Sequence, residues 1–101
     1  MDILPEHLNT VKKILTQYLP PTCKIYVFGS RIKGNARKFS DLDLAIDNQG
    51  AKLSLQDRAH LEEAFQESSL PYKVDLLDWN LISDQFKMNI DKKVELTLFN
   101  H

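Results

Sequence analysis

From Asp41 to Asp47 the chain reads Asp-Leu-Asp-Leu-Ala-Ile-Asp, and over the first half of that run polar and apolar side chains alternate with a period of two. This pattern fixes a β-strand. On it, Leu42 and Leu44 turn to one face and pack a core, while Asp41 and Asp43 share the other face with their α-carbons about 6–7 Å apart. Two carboxylates at that spacing repel each other unless solvent or a cation separates them. A strand with one solvated face would show the same alternation, so the pattern alone identifies the strand and leaves its use open.

The flanking segments supply the rest of an α/β chain. Leu8, Val11, Ile14, Leu15 and Tyr18 fall at three- and four-residue spacings, which predicts an amphipathic helix over Pro5–Tyr18, stopped by Pro20-Pro21. Lys24–Phe28, rich in β-branched and aromatic residues, predicts a strand that ends at Gly29-Ser30. A polar stretch holding Gly34 and Asn35 leads to the Asp41–Asp47 strand, and Asn48-Gln49-Gly50 marks a turn. Leu53, Leu55, Leu61, Ala64 and Phe65 then line a helix that ends near Ser68-Ser69, and Tyr72–Leu77 forms a third strand. Ile82, Phe86 and Ile90 predict a third substantial helix capped by Asn80 or Ser83, its apolar stripe read as core, with a partner helix as the alternative it would suit. Val94–Leu98 alternates once more and is read as a last strand. The expected fold is a small mixed β-sheet of three to four strands flanked by helices. At 101 residues, 43% of them hydrophobic, the chain is expected to be one domain over residues 1–101 with one modest core.

Gly29-Ser30 changes what the aspartates mean. Ten residues separate Ser30 from Asp41, and if the first two strands run antiparallel, the end of one meets the start of the other at one edge of the sheet. Glycine lets the chain turn sharply and lets backbone N–H groups approach an anion, while Ser30 can donate its hydroxyl or cap a short following helix. Arg31, Lys33, Arg37 and Lys38 form a local basic cluster between this bend and the carboxylates, suited to neutralising a triphosphate. Asp75, in the third strand, sits opposite in parity to Val74 and Leu76. A helical crossover makes that strand parallel to the second and sets Asp75 beside Asp41 and Asp43. Hard cations such as Mg²⁺ take oxygen ligands of this kind, and a further carboxylate can accept the proton of an attacking hydroxyl.

Phe28-Gly-Ser-Arg31, followed by Ser40-Asp-Leu-Asp-Leu44 and the later Asp75, resembles the DNA polymerase β-like nucleotidyltransferase superfamily, and especially its minimal nucleotidyltransferases, over about Ile25 to Leu77. The resemblance implies that Asp41, Asp43 and Asp75 are catalytic and bind two Mg²⁺ ions, and that Gly29, Ser30, Arg31 and Lys33 bind the nucleotide. It implies ATP as substrate, transfer of AMP with loss of pyrophosphate, and an antitoxin role. The partner would be a HEPN-domain ribonuclease toxin, silenced by adenylylation of a tyrosine. An antitoxin that neutralises its partner by contact alone is the alternative. Ile32 and Lys33 stand where relatives often carry alanine and arginine, which replaces a bidentate phosphate contact by a point charge. Little chain remains beyond Ile82 to clasp a base.

Charge and composition narrow the function further. A net charge of −1 gives no global field for a long nucleic acid. Cys23 is the one cysteine, so no intrachain disulfide or cysteine-rich zinc site can form, and a buried role is expected for it. No run approaches the ~18 apolar residues of a membrane span, so the cytoplasm is the expected location. His7, His60 and His101 lie at no metal-site spacing. Asp47 and Asp78 are expected to cap turns, and Trp79 to pack.

Overall fold

Pro5 opens the first helix, where a missing N–H costs nothing, and α1 runs Pro5–Tyr18 until Leu19 turns extended ahead of Pro20. The computed structural model describes residues 1–34, 36–90 and 92–98; Asn35 and His101 lie outside them. After α1 come β1 (Lys24–Phe28), α2 (Ser30–Lys33), β2 (Leu42–Asp47), α3 (Leu55–Glu67), β3 (Val74–Asp78), α4 (Asp84–Asn89) and β4 (Lys93–Leu96). Ser54 caps α3 by accepting the N–H of Asp57 at 3.0 Å, and Ser83 caps α4 by accepting that of Phe86 at 3.1 Å.

The strands form one mixed sheet in the order β3-β2-β1-β4. β1 is antiparallel to both β2 and β4, and β2 is parallel to β3, as the crossover through α3 requires. The registers align one face completely. Ile25 and Val27 of β1, Leu42, Leu44 and Ile46 of β2, and Leu76 of β3 join Val11 and Leu15 of α1 and Leu61 and Phe65 of α3 in a single buried cluster. Intervening residues, among them Tyr26, Phe28, Asp43, Ala45, Asp75 and Leu77, take the opposite face. Cys23 is buried and its thiol donates to Asn48 Oδ1 at 3.3 Å.

Four sequence expectations shift. Asp41 lies one residue ahead of β2 rather than within it, and β3 and β4 start and end one or two residues from the expected limits. Gly29, not Ser30, occupies the N-cap position of α2, and no side chain caps that turn. α4 is six residues long and contributes no buried residue, with Phe86 44% exposed. The stripe expected in the core stays outside it because α1 and α3 already cover the apolar face of the sheet.

Candidate active site

The site grows from the end of β1. Phe28 is paired with Asp43, and Asp43 in turn with Asp75, so three strands present their corresponding residues in one row. At Gly29 the chain turns with φ 81° and ψ −155°, a region only glycine enters freely. A Cβ here would also fall on Oδ2 of Asp43. The Gly29 carbonyl then accepts the N–H groups of Ile32 and Lys33, both at 3.1 Å, which winds the chain into α2.

Asp41 is exposed and Asp43 half-buried. Burial raises the Asp43 pKa above the ordinary carboxylate value, and the charges of Asp75 and Asp41 push it further the same way. Asp43 therefore feels the charge of both other carboxylates. The three do not converge as a closed cage: among the described residues no three acidic, histidine or cysteine side chains gather closely enough to hold one ion. Asp75 Oδ1 instead meets Lys73 Nζ at 3.3 Å. An all-oxygen donor set carrying concentrated negative charge, on a face left open by the helices, suits Mg²⁺ in partly hydrated form, bound with substrate phosphates.

Arg31 departs from its expected role. Only 6% exposed, its guanidinium lies 3.9 Å above the Tyr72 ring. It donates to the carbonyls of Asp2 (2.8 Å), Lys38 (3.3 Å) and Ser40 (2.6 and 3.1 Å). A guanidinium so committed braces the loop leading into Asp41 instead of reaching for a phosphate. Ser30 is half-buried at the head of α2, and Lys33 is exposed. Lys33 lines a cavity of about 160 Å³ with Phe28, Gly29, Phe86, Asn89, Ile90 and Lys92. The segment beyond Ile82 thus supplies a wall beside the bend, where the sequence suggested little to clasp a base.

Two features escaped sequence reading. Tyr26 and Trp79 approach to 5.7 Å between ring centroids. Both fall on the face opposite the core, where Ala45, fully buried, pairs with Tyr26 on one side and Leu77 on the other. Lys93 Nζ lies 5.4 Å from the Tyr26 ring and 5.3 Å from that of Trp79, and Lys87 Nζ lies 5.1 Å from Trp79. Parity was the available signal, since Tyr26 and Trp79 fall on the carboxylate face. The second is a cleft of about 650 Å³ between α3 and β3, with Asp75 among its lining residues. Asp78 is buried and anchors a turn, accepting from Leu53 N (2.8 Å) and Asn80 N (3.0 Å), as expected for a capping residue.

An antiparallel-then-parallel sheet that brings a glycine bend and strand carboxylates to one edge defines a nucleotidyltransferase. The chain belongs to the polymerase β nucleotidyltransferase family, whose model matches residues 9–99. It is 50% identical over 92 residues to the probable protein adenylyltransferase MntA of Haemophilus influenzae, covering 91% of this chain and 79% of that protein. Among solved structures it resembles a toxin–antitoxin crystallised with AMP-PNP, at a TM-score of 0.72 and 27% identity, covering 97% of this chain and 75% of the other. A variant of the toxin–antitoxin pair MntA–HpeT matches with a TM-score of 0.71 and 28% identity, over 93% of this chain and 72% of the other.

Proposed function

We propose that the chain is a protein adenylyltransferase that transfers AMP from ATP to a hydroxyl of a partner toxin, and so acts as an antitoxin. The observation that carries this is the row Phe28–Asp43–Asp75, which sets the Gly29 bend against two carboxylates. Half-identity to a protein adenylyltransferase and likeness to a toxin–antitoxin structure containing AMP-PNP support the same reading.

Asp41 and Asp43 would hold Mg²⁺, with Asp75 contributing to a second ion; bound there, the metal would supply positive charge that neutralises the substrate phosphates. Gly29 leaves the backbone of the bend open to a phosphate, and Ser30 and Lys33 assist there. A substrate hydroxyl oxygen forms a bond to the α-phosphorus while the bond from that phosphorus to the α,β-bridging oxygen breaks. Pyrophosphate leaves and Asp75 takes the hydroxyl proton. The acceptor is a tyrosine of a helical HEPN-domain ribonuclease toxin. Residues 1–101 act as a single nucleotidyltransferase domain. No helix among the described residues is long and apolar enough to cross a membrane, and the cytoplasm, with its ATP, is the place of action.

Incubation with Mg²⁺, ATP and the toxin, followed by mass spectrometry of the toxin, tests the proposal. One or more added adenylates with wild type and none with Asp41→Asn is the expected result. Equal neutralisation of the toxin by both proteins, without added mass, would replace transfer by simple contact. Label retained from the γ-phosphate instead of the α-phosphate would make the enzyme a kinase.

A further inference from the structure

β3 is an edge strand, and its two sets of backbone groups have different fates. Lys73 gives its carbonyl to Leu42 N at 2.9 Å, and Trp79 gives its N–H to the Ile46 carbonyl at 2.9 Å, so odd-numbered residues of this segment turn inward to β2. Val74 and Leu76 therefore turn their N–H and C=O groups outward. The Leu76 carbonyl is held by Arg58 Nη2 at 2.8 Å, and Arg58 also bonds Glu62 at 3.0 Å. No described residue takes the Val74 and Leu76 N–H groups.

Along this open edge runs the 650 Å³ cleft, whose lining includes Phe65 and Leu70 as well as Arg58, Lys73 and Asp75. Tyr72, also in its lining, carries a buried hydroxyl with no partner among the described residues. Unpaired edge groups beside a helix-walled groove are what an extended peptide uses to join a sheet as one more strand.

We infer that this cleft receives an extended segment of the acceptor protein, paired to the outer edge of β3, and that the segment delivers its hydroxyl to Asp75. This rests on the reading that the chain modifies a protein hydroxyl. An added strand lies about 4.8 Å from β3, with side chains alternating between the two faces. The residue level with Asp75 shares the face of Asp75 and Asp43, while its two neighbours point to the side of Phe65 and Leu70. The segment is thereby specified as a hydroxyl-bearing residue flanked by apolar ones. Its strand takes over the Leu76 carbonyl and releases Arg58. Continuity with the carboxylate row favours an acceptor over a second copy of this chain, because a self-paired edge would cover the approach to Asp75.

Hydrogen exchange of the full chain, alone and with HpeT as the acceptor probe, reads the edge directly. Exchange of the Val74 and Leu76 amides slowed by about tenfold or more on adding HpeT is the expected result. Unchanged exchange in a formed complex overturns the proposal. So does protection already present in the chain alone that deepens with its concentration, which would assign the edge to a second copy. A second test fills the groove from α3 with Gln66→Trp, an exposed position in the cleft lining. KM for HpeT should rise about tenfold with KM for ATP and the melting temperature unchanged, and an unaltered KM for HpeT counts against the groove. Should wild type add no adenylate to HpeT, the proposed function itself fails and the groove falls with it. Labelling by wild type and by Gln66→Trp at equal KM removes the groove alone.

Discussion

Gly29 and Asp43 occupy adjoining space so closely that the glycine's missing side chain is where the aspartate's Oδ2 sits. The bend and the carboxylate are therefore one device: the same residue that gives φ 81° also leaves room for a charged ligand on the next strand. Replacing Gly29 by alanine forces a left-handed conformation on an L-residue and displaces Asp43. A loss of roughly 1–3 kcal/mol in stability is expected from the backbone alone. Transfer activity should fall by more than the unfolded fraction explains, as seen by comparing thermal melts with turnover of the folded enzyme.

Asp43 bears the electrostatic cost of the site. Its folded-state pKa is raised from 3.8, so its contribution to stability is fully present below the unfolded value and is lost as pH rises through the folded one. At neutral pH the metal-free protein carries that penalty. Asp43→Asn should therefore melt higher than wild type at pH 7 without divalent ions, with the difference shrinking as the pH falls toward 3.8. The same substitution should abolish transfer. Lower melting of the variant at pH 7 would contradict the charge assignment.

Divalent metal should act in the opposite sense on wild type. An ion that binds only the folded state stabilises it by about 2.7 kcal/mol at a hundredfold excess over Kd. Adding Mg²⁺ with an ATP analogue should raise the melting temperature of wild type, and chelator should reverse the rise. Asp41→Asn should show little response in the same titration.

Arg31 predicts a contrast. Removing a buried guanidinium that bonds three carbonyls and stacks on Tyr72 should cost roughly 2–4 kcal/mol. Arg31→Lys should recover little of this, since an ammonium cannot fork between Ser40 and Asp2. ATP affinity of the fraction that remains folded should stay near wild type by calorimetry. A large loss of affinity in a well-folded variant would return Arg31 to the phosphates.

Ala45 offers a packing test. Ala45 is fully buried and pairs with Tyr26, whose ring packs on Trp79, and a leucine there adds volume the site does not hold. Overpacking of this kind costs about 1–3 kcal/mol, and the Trp79 fluorescence should change with it.

Alternation and glycine punctuation made most of the fold legible. Asp41-Leu-Asp-Leu44 set β2, the Gly29 bend ended β1, and the helical crossover made β3 parallel, which brings Asp75 beside Asp41 and Asp43; the register that pairs Asp75 with Asp43 comes from the sheet itself. What stayed hidden depended on tertiary competition. Arg31 reads locally as one cation of a cluster, and only the fold shows the carbonyls of Asp2, Lys38 and Ser40 closing around it. Phe86 has the spacing of a core residue, yet the apolar face it would join is already occupied by α1 and α3. The cleft at β3 arises from strand order, which periodicity does not encode.

On this proposal, Asp41, Asp43 and Asp75 share divalent ions beside the Gly29 bend. Crystals grown with Mn²⁺ and a non-hydrolysable ATP analogue test it through anomalous scattering. Two peaks about 3.5–4 Å apart, touched by Asp41 and Asp43 with Asp75 on one of them and the phosphates against Gly29-Ser30, are the predicted result. Nucleotide and metal bound elsewhere, with Asp75 still turned to Lys73 and no peak between the strands, would contradict it.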